Sequence, residues 1–86
     1  MASVDELIRE VTSLKQSSEQ LSTMFSAAGQ SLQEKTNTIA GLVRGSASGQ
    51  EAVASLGVAS RSLLNAAASI MTLGRTCDEC IAQLSK

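Results

Sequence analysis

Two cysteines, in the run Cys77-Asp78-Glu79-Cys80, are the residues of this 86-residue chain whose types and spacing could do chemistry. A CxxC pair can bind a metal ion or exchange electrons through a disulfide. Thioredoxin-like sites place the pair at the start of a helix that follows a strand, whereas this pair lies well inside a predicted helix. Two thiols are also only half of a structural zinc site. We therefore interpret Cys77 and Cys80 as small apolar residues, with a metal or redox role as the weaker alternative.

The remaining composition argues against catalysis. The chain has no histidine, which excludes the usual general base and the Ser–His and Cys–His nucleophile pairs. No serine has the setting of a nucleophile elbow, and no glycine-rich loop has the spacing that binds phosphate. We expect no enzyme, no cofactor and no small-molecule substrate.

The composition argues against a nucleic acid partner and against a membrane span. Seven basic and eight acidic residues are dispersed along the chain, and tryptophan and tyrosine are absent. The chain therefore has neither a basic patch nor a base-stacking platform. Residues 1–20 are amphipathic rather than a signal peptide, and no apolar run reaches the length of about 18 residues that spans a membrane. We expect a cytoplasmic protein, or one secreted without a cleaved signal peptide, that does not span a membrane.

Apolar residues recur at alternating steps of three and four, which predicts one apolar face on each of two long helices. The first series is Val4, Leu7, Val11, Leu14, Leu21, Phe25, Ala28, Leu32, Ile39 and Leu42, interrupted by Ser18 and Lys35. The second is Val53, Leu56, Leu63, Ala67, Ile70, Cys77, Ile81 and Leu84, with Ser60 and Gly74 as weak positions.

Local signals give the ends of the helices. Ser3 with Glu6, and Ser48 with Glu51, match the capping box that begins a helix. Gly45 suits the left-handed residue just past a helix end. The sequence predicts a single domain over residues 1–86, with a helix at about 4–44, a turn at about 45–48 and a helix at about 49–85. So short a turn makes the two helices an antiparallel all-α hairpin.

The apolar stripe is wider than a two-helix contact can cover, which predicts a four-helix bundle completed by dimerisation or by a partner protein. Phe25 is the only aromatic residue, so the core of a lone hairpin would be thin. The residues expected to form the hairpin contact and to bind the partner are Leu14, Leu21, Phe25, Leu32, Ile39, Leu56, Leu63, Leu64, Ile70, Met71 and Leu73.

Four glycines fall inside the predicted helices: Gly29, Gly41, Gly57 and Gly74. Each costs about 1 kcal/mol of helix stability relative to alanine. Two interpretations are open: the glycines are simply tolerated, or they allow a neighbouring backbone to approach closely.

This layout resembles the WXG-motif superfamily, the ESAT-like proteins of type VII secretion. The family's Trp-x-Gly turn matches Val43-Arg44-Gly45 here, with valine in place of tryptophan. The family's export element, Tyr-x-x-x-Asp/Glu, has no counterpart, because the chain has no tyrosine and no acidic residue after Glu79. In these departures the chain resembles the small helical partners of LXG-type effector toxins.

The resemblance implies a targeting partner, adaptor or chaperone that binds the helical region of a secreted effector toxin. An ESAT-like homodimer or heterodimer that is itself secreted is the first alternative. A metal- or redox-responsive helical protein that uses Cys77 and Cys80 is the second, from a different functional class.

Overall fold

The computed structural model describes residues 3–86, so the first two residues of the predicted domain lie outside it. Two long helices, α1 (Val4–Leu42) and α2 (Ala47–Leu84), pack side by side in a rod of 62 × 19 × 14 Å. Ser22 contacts Ala67 while the later residue Gly29 contacts the earlier residue Ser60, so the helices are antiparallel. The predicted all-α hairpin is confirmed.

The α1 helix begins where its capping residue predicts. The Ser3 hydroxyl accepts a hydrogen bond from the Glu6 N–H at 3.1 Å, and Asp5 and Glu6 lie in the first turn at the positive end of the helix dipole. The helix ends at Leu42, two residues before the predicted end, and the Val43 N–H donates to the Ile39 carbonyl at 3.0 Å.

The turn depends on one left-handed residue. Gly45 has φ +84°, as its position after the helix predicts, and the next residue, Ser46, has extended backbone angles. The Ser46 hydroxyl accepts from the Gly49 N–H at 3.1 Å, so Ser46 is the N-cap of α2. The predicted cap at Ser48 is wrong, because the chain has already entered the helix at Ala47.

Small residues, not large ones, are the most buried in the hairpin. Ser18 and Ser60 are each only 3% exposed, and no large side chain in residues 3–86 is fully buried. The other buried residues are Ser22, Gly29, Thr36, Ala67, Gly74 and Cys77. Positions that look weak in the apolar pattern, such as Ser18 and Ser60, are therefore the centre of the contact between the helices.

Buried hydroxyls are compatible with this contact because each one donates a hydrogen bond. Ser22 donates to the Ala67 carbonyl at 3.1 Å and Ser60 to the Gly29 carbonyl at 2.7 Å, both across the hairpin. Ser18 donates instead to a carbonyl four residues earlier on its own helix, as hydroxyl residues inside helices often do. Within residues 3–86 no buried side-chain oxygen or nitrogen lacks a partner.

Candidate partner-binding site

The predicted apolar series of α2 lies in the contact between the helices, but the series of α1 is divided. Val11, Phe25, Leu32 and Ile39 are half-buried there, as expected. The leucines that alternate with them are exposed: Leu7, Leu14, Leu21 and Leu42. The structure thus differs from the single stripe that the sequence predicts for this helix, and half of the stripe lies outside the hairpin contact.

The residues that follow those leucines occupy the contact instead. This second column of α1 contains Ile8, Lys15, Ser22, Gly29, Thr36 and Val43, all buried or half-buried. Three of these six, Ser22, Gly29 and Thr36, have small side chains, and a helix approaches its neighbour most closely through such a column. A Cβ atom on Gly29 would lie 2.8 Å from Cγ of Leu64, so the two helices touch at this glycine.

The position of the second column shows from which side of the hairpin the exposed α1 leucines project. The half-buried residues Val11, Phe25 and Leu32 form the central column of α1. At about 100° per residue, the second column lies about 40° around the helix from this central column, and the exposed leucines lie about 60° from it in the opposite direction. On the first side Lys15 forms an ion pair with Asp78, and Leu64 covers Gly29. The leucines of α1 therefore project from the opposite side of the hairpin.

The exposed leucines of α1 lie beside the flank of α2 that faces away from Asp78. Asp78, Met71 and Leu64 share one column of α2, so the opposite flank of that helix faces the leucine side. That flank contains Ala59, Ala66, Leu73 and Cys80. Leu73 is exposed, as are the α1 leucines.

We call this surface the leucine face and define it by Leu7, Leu14, Leu21, Met24 and Ala28 of α1 with Ala59, Ala66, Leu73 and Cys80 of α2. The most exposed of these large side chains are Met24, at 61%, and Leu14, at 47%. Few charged residues lie on this face. Among the described residues, Glu10 and Lys35 are the only charged ones in the α1 columns of Leu21 and Met24, and no charged residue lies on this flank of α2.

The opposite face of the hairpin is polar. Lys15 Nζ lies 2.6 Å from an Asp78 carboxylate oxygen and 3.8 Å from Glu19. The hydrogen bond and the attraction from Asp78 raise the pKa of Lys15 above its ordinary value of 10.5, and Glu19 adds a smaller attraction. A shallow groove beside this ion pair is lined by Met71 and Gly74, among others. Its open, mixed lining offers no enclosed site for a ligand.

The predicted partner-binding residues separate into three groups. Phe25, Leu32, Ile39, Leu56, Leu63, Leu64 and Ile70 are half-buried. Leu14, Leu21 and Leu73 are exposed on the leucine face, and Met71 is exposed on the polar face. In the turn, Val43 is half-buried against Gly49 and Gly45 is exposed.

Sequence reasoning missed Ser22 and Thr36, which lie in the hairpin contact. The detectable signal was the strict spacing of small residues at Ser22, Gly29 and Thr36.

The two cysteines have different environments. Cys77 is buried in the hairpin contact, Cys80 is exposed at the end of the leucine face, and neither forms a disulfide. In the part of the chain that the structure describes, no group of three potential metal ligands comes together. Cys77 and Cys80 therefore have no third ligand within residues 3–86.

By length and composition, α2 could cross a membrane. Its most apolar 18-residue window has a mean hydropathy of 1.2, and 11% of that window is buried in the hairpin. One such helix is weak evidence, since core helices of soluble proteins meet the same criterion. The absence of a membrane span stays a prediction.

No protein-family model, curated protein sequence or solved structure matches this chain.

Proposed function

We propose that this chain is a non-enzymatic interaction protein whose leucine face packs against the helices of another protein. Following its resemblance to partners of LXG-type toxins, we propose that this protein is the helical region of an effector exported by a type VII secretion system. The chain would then act as a targeting partner or chaperone, and the complex would form a four-helix bundle.

The observation that supports this proposal is the exposure of large apolar side chains in one continuous column. Leu7, Leu14 and Leu21 lie one above another at seven-residue spacing, and each is between 42% and 47% exposed. Scattered apolar residues on a surface need no explanation, but a contiguous apolar strip usually marks a binding site. A strip with this period fits the side of a helix.

The total surface supports the same conclusion. The chain exposes 6167 Å². A compact monomer of its 8.9 kDa mass would expose about 4,800 Å². The excess is larger than the roughly 800 Å² that each partner buries in a standard protein interface. A standard interface on the leucine face would therefore remove about half or more of this excess.

A matched pair of variants tests the proposal. Leu21→Asp places a charge in the middle of the leucine face, and Val58→Asp makes the same kind of change at another exposed apolar residue, on the outer side of α2. The tagged chain is purified from cells that express it, and co-purifying proteins are identified by mass spectrometry. We expect the wild type and Val58→Asp to retain an effector with a helical N-terminal region, and Leu21→Asp to lose it.

Export of that effector gives a second readout. Deleting the chain should lower the amount of effector in the medium, and Val58→Asp should restore it while Leu21→Asp should not. Recovery of the effector with Leu21→Asp, or normal export without the chain, would show that the leucine face is not the binding site or that targeting is not the function.

A further inference from the structure

We propose that a groove on the polar face, on the turn side of its middle, binds the carboxylate of an aspartate or glutamate side chain on another protein. This near groove is lined by Gln33 and Asn37 of α1 and by Gly57, Arg61 and Leu64 of α2. It lies on the side of the hairpin opposite the leucine face, so the proposal does not rest on the proposed function.

The near groove repeats the groove beside the ion pair of Lys15 and Asp78, which we call the far groove. Every residue that lines the near groove has a counterpart in the far groove, 14 residues earlier on α1 or 14 residues later on α2. Such a shift is two heptads, or about 21 Å along a helix, and in an antiparallel hairpin both shifts run away from the turn. The two grooves are therefore equivalent places on one face, and they differ only in their side chains.

The far groove contains its own carboxylates. Glu19 and Asp78 line it together with Lys15 and Arg75. Asp78 also lies 2.6 Å from Lys15 Nζ. The two acidic and two basic side chains give this groove a formal charge of zero, so it does not attract a further anion.

The near groove has the arginine without the carboxylates. Arg61 is the counterpart of Arg75. Gln33 takes the place of Glu19, and a leucine takes the place of the aspartate. Within residues 3–86, Arg61 is exposed and forms no ion pair. The lining of the near groove therefore has a formal charge of +1 that no side chain in it neutralises.

Three side chains of the near groove have hydrogen-bond donors that the hairpin does not use. Arg61 has a planar fork of N–H groups that matches the two oxygens of a carboxylate. Gln33 and Asn37 are exposed one turn apart on the facing helix, and each has an amide NH2 group. No hydrogen bond within residues 3–86 involves these three side chains. A carboxylate paired with Arg61 can therefore accept further hydrogen bonds from the two amides.

Gly57 keeps the guanidinium of Arg61 accessible. A Cβ atom at this position would lie 3.8 Å from Nη1 of Arg61, so a longer side chain there would lie against the guanidinium. The counterpart of Gly57 in the far groove is Met71. The glycine thus opens one wall of the near groove where a carboxylate would meet the arginine.

The charge and the openness of the near groove indicate the kind of ligand. One positive charge beside neutral amides suits a carboxylate, whereas the second charge of a phosphate is best met by a second cation. The groove is open to solvent, and an exposed arginine alone binds a free ion weakly. We therefore expect the carboxylate on a protein whose other contacts hold it in place.

Nuclear magnetic resonance of the isotope-labelled chain tests the proposal. The probe is a capped, alanine-rich helical peptide with two glutamates one turn apart, and the control peptide has glutamine at both positions. At constant ionic strength, we expect only the glutamate peptide to shift the side-chain N–H signals of Gln33, Asn37 and Arg61. Arg61→Gln should raise the dissociation constant of that peptide about tenfold or more, because it removes a charge-assisted pair. The matched variant Arg75→Gln should leave it unchanged.

A second pair of variants makes the near groove resemble the far groove. Gln33→Glu supplies the carboxylate that Glu19 supplies in the far groove, so it should occupy Arg61 and abolish binding of the glutamate peptide. Gln20→Glu makes the same charge change at an exposed residue of α1 outside both grooves. It should change the dissociation constant by less than about twofold, since salt screens exposed charges at that distance. Circular dichroism checks that each variant keeps its helix content.

The proposal is overturned if the glutamine peptide causes the same shifts, or if Arg61→Gln or Gln33→Glu binds the glutamate peptide as wild type does. An equal response to sodium acetate at the same carboxylate concentration would show that the groove takes a free ion, and it would overturn the assignment to a protein side chain. Leu21→Asp should leave the titration unchanged, because it alters the opposite face. The titration therefore succeeds or fails independently of effector capture, which tests the proposed function.

Discussion

The hydroxyl of Ser60 donates a hydrogen bond to the backbone carbonyl of Gly29 across the hairpin, at 2.7 Å. A side chain reaches the backbone of a facing helix in this way only where the two helices are close together. Leu64, one turn after Ser60, lies on the same glycine. Gly29 is thus a point of close approach, which favours the second of the two interpretations for this glycine.

Gly74 is different, because a Cβ atom there would have no heavy atom within 4 Å outside its own helix turn. We expect Gly74→Ala to stabilise the chain by about 1 kcal/mol, the usual gain of alanine over glycine inside a helix. Gly29→Ala should destabilise it by about 1 kcal/mol, since overpacking against Leu64 outweighs that gain. Urea denaturation followed by circular dichroism measures both. Equal stabilisation by the two variants would mean that Leu64 moves aside freely.

Removing either hydroxyl that crosses the hairpin should weaken the contact between the helices. We expect Ser22→Ala and Ser60→Ala each to lower the free energy of unfolding by about 1 kcal/mol, the net value of a typical hydrogen bond. Ser17→Ala is the matched control, because Ser17 is exposed on the same helix as Ser22 and should change stability by less than about 0.5 kcal/mol. Thermal melts of the three variants compare them; a control as damaging as the test variants would argue against the two bonds.

The ion pair between Lys15 and Asp78 predicts a loss of stability at alkaline pH. The pKa of Lys15 is raised in the folded chain, chiefly by its hydrogen bond to Asp78. The folded chain therefore holds this proton more tightly than the unfolded chain does. The contribution of the ion pair to the free energy of unfolding is complete below pH 10.5 and is lost as the pH rises through the folded-state pKa. We expect wild type to be more stable than Lys15→Gln at pH 8 and the difference to vanish above the raised pKa. A difference that persists at high pH would assign the effect to packing of the lysine stem.

The cysteines should tolerate replacement if they act only as small residues. We expect Cys80→Ser to have little effect and Cys77→Ser to cost about 1 kcal/mol or less, because a buried serine in a helix can donate to the carbonyl four residues earlier. Denaturation curves with and without reductant or chelator provide the measurement. A wild-type stability that falls on addition of chelator or reductant, and a double variant that no longer responds to either, would favour the metal or redox alternative instead.

Local chemistry explains which parts of this fold are predictable. Ser3 and Gly45 act on their own neighbours, so capping and left-handed geometry can be read from the sequence. The series in α2 is predictable as well, because its apolar and small residues occupy the same columns. Ser48 misleads because Ser46, two residues earlier, offers the same side chain directly after the left-handed glycine.

The side of α1 that faces α2 is not predictable in the same way. Apolar periodicity favours the column of Leu14 and Leu21, since burying leucine releases more free energy than burying serine. Close approach favours the column of Ser22 and Gly29, and it prevails because two hydrogen bonds and the Leu64 contact depend on it. This competition is decided by tertiary packing, which residue types on one helix do not encode.

A hairpin held together by serine, threonine and glycine has a consequence for the amount of protein in a cell. Under the proposed function, a partner bound to the leucine face adds to its free energy of unfolding, so the unfolded fraction rises as binding partners become scarce. Proteases degrade unfolded chains first. We therefore expect surplus copies to be short-lived, and the steady-state level of this chain to follow the supply of whatever binds its leucines rather than its own rate of synthesis.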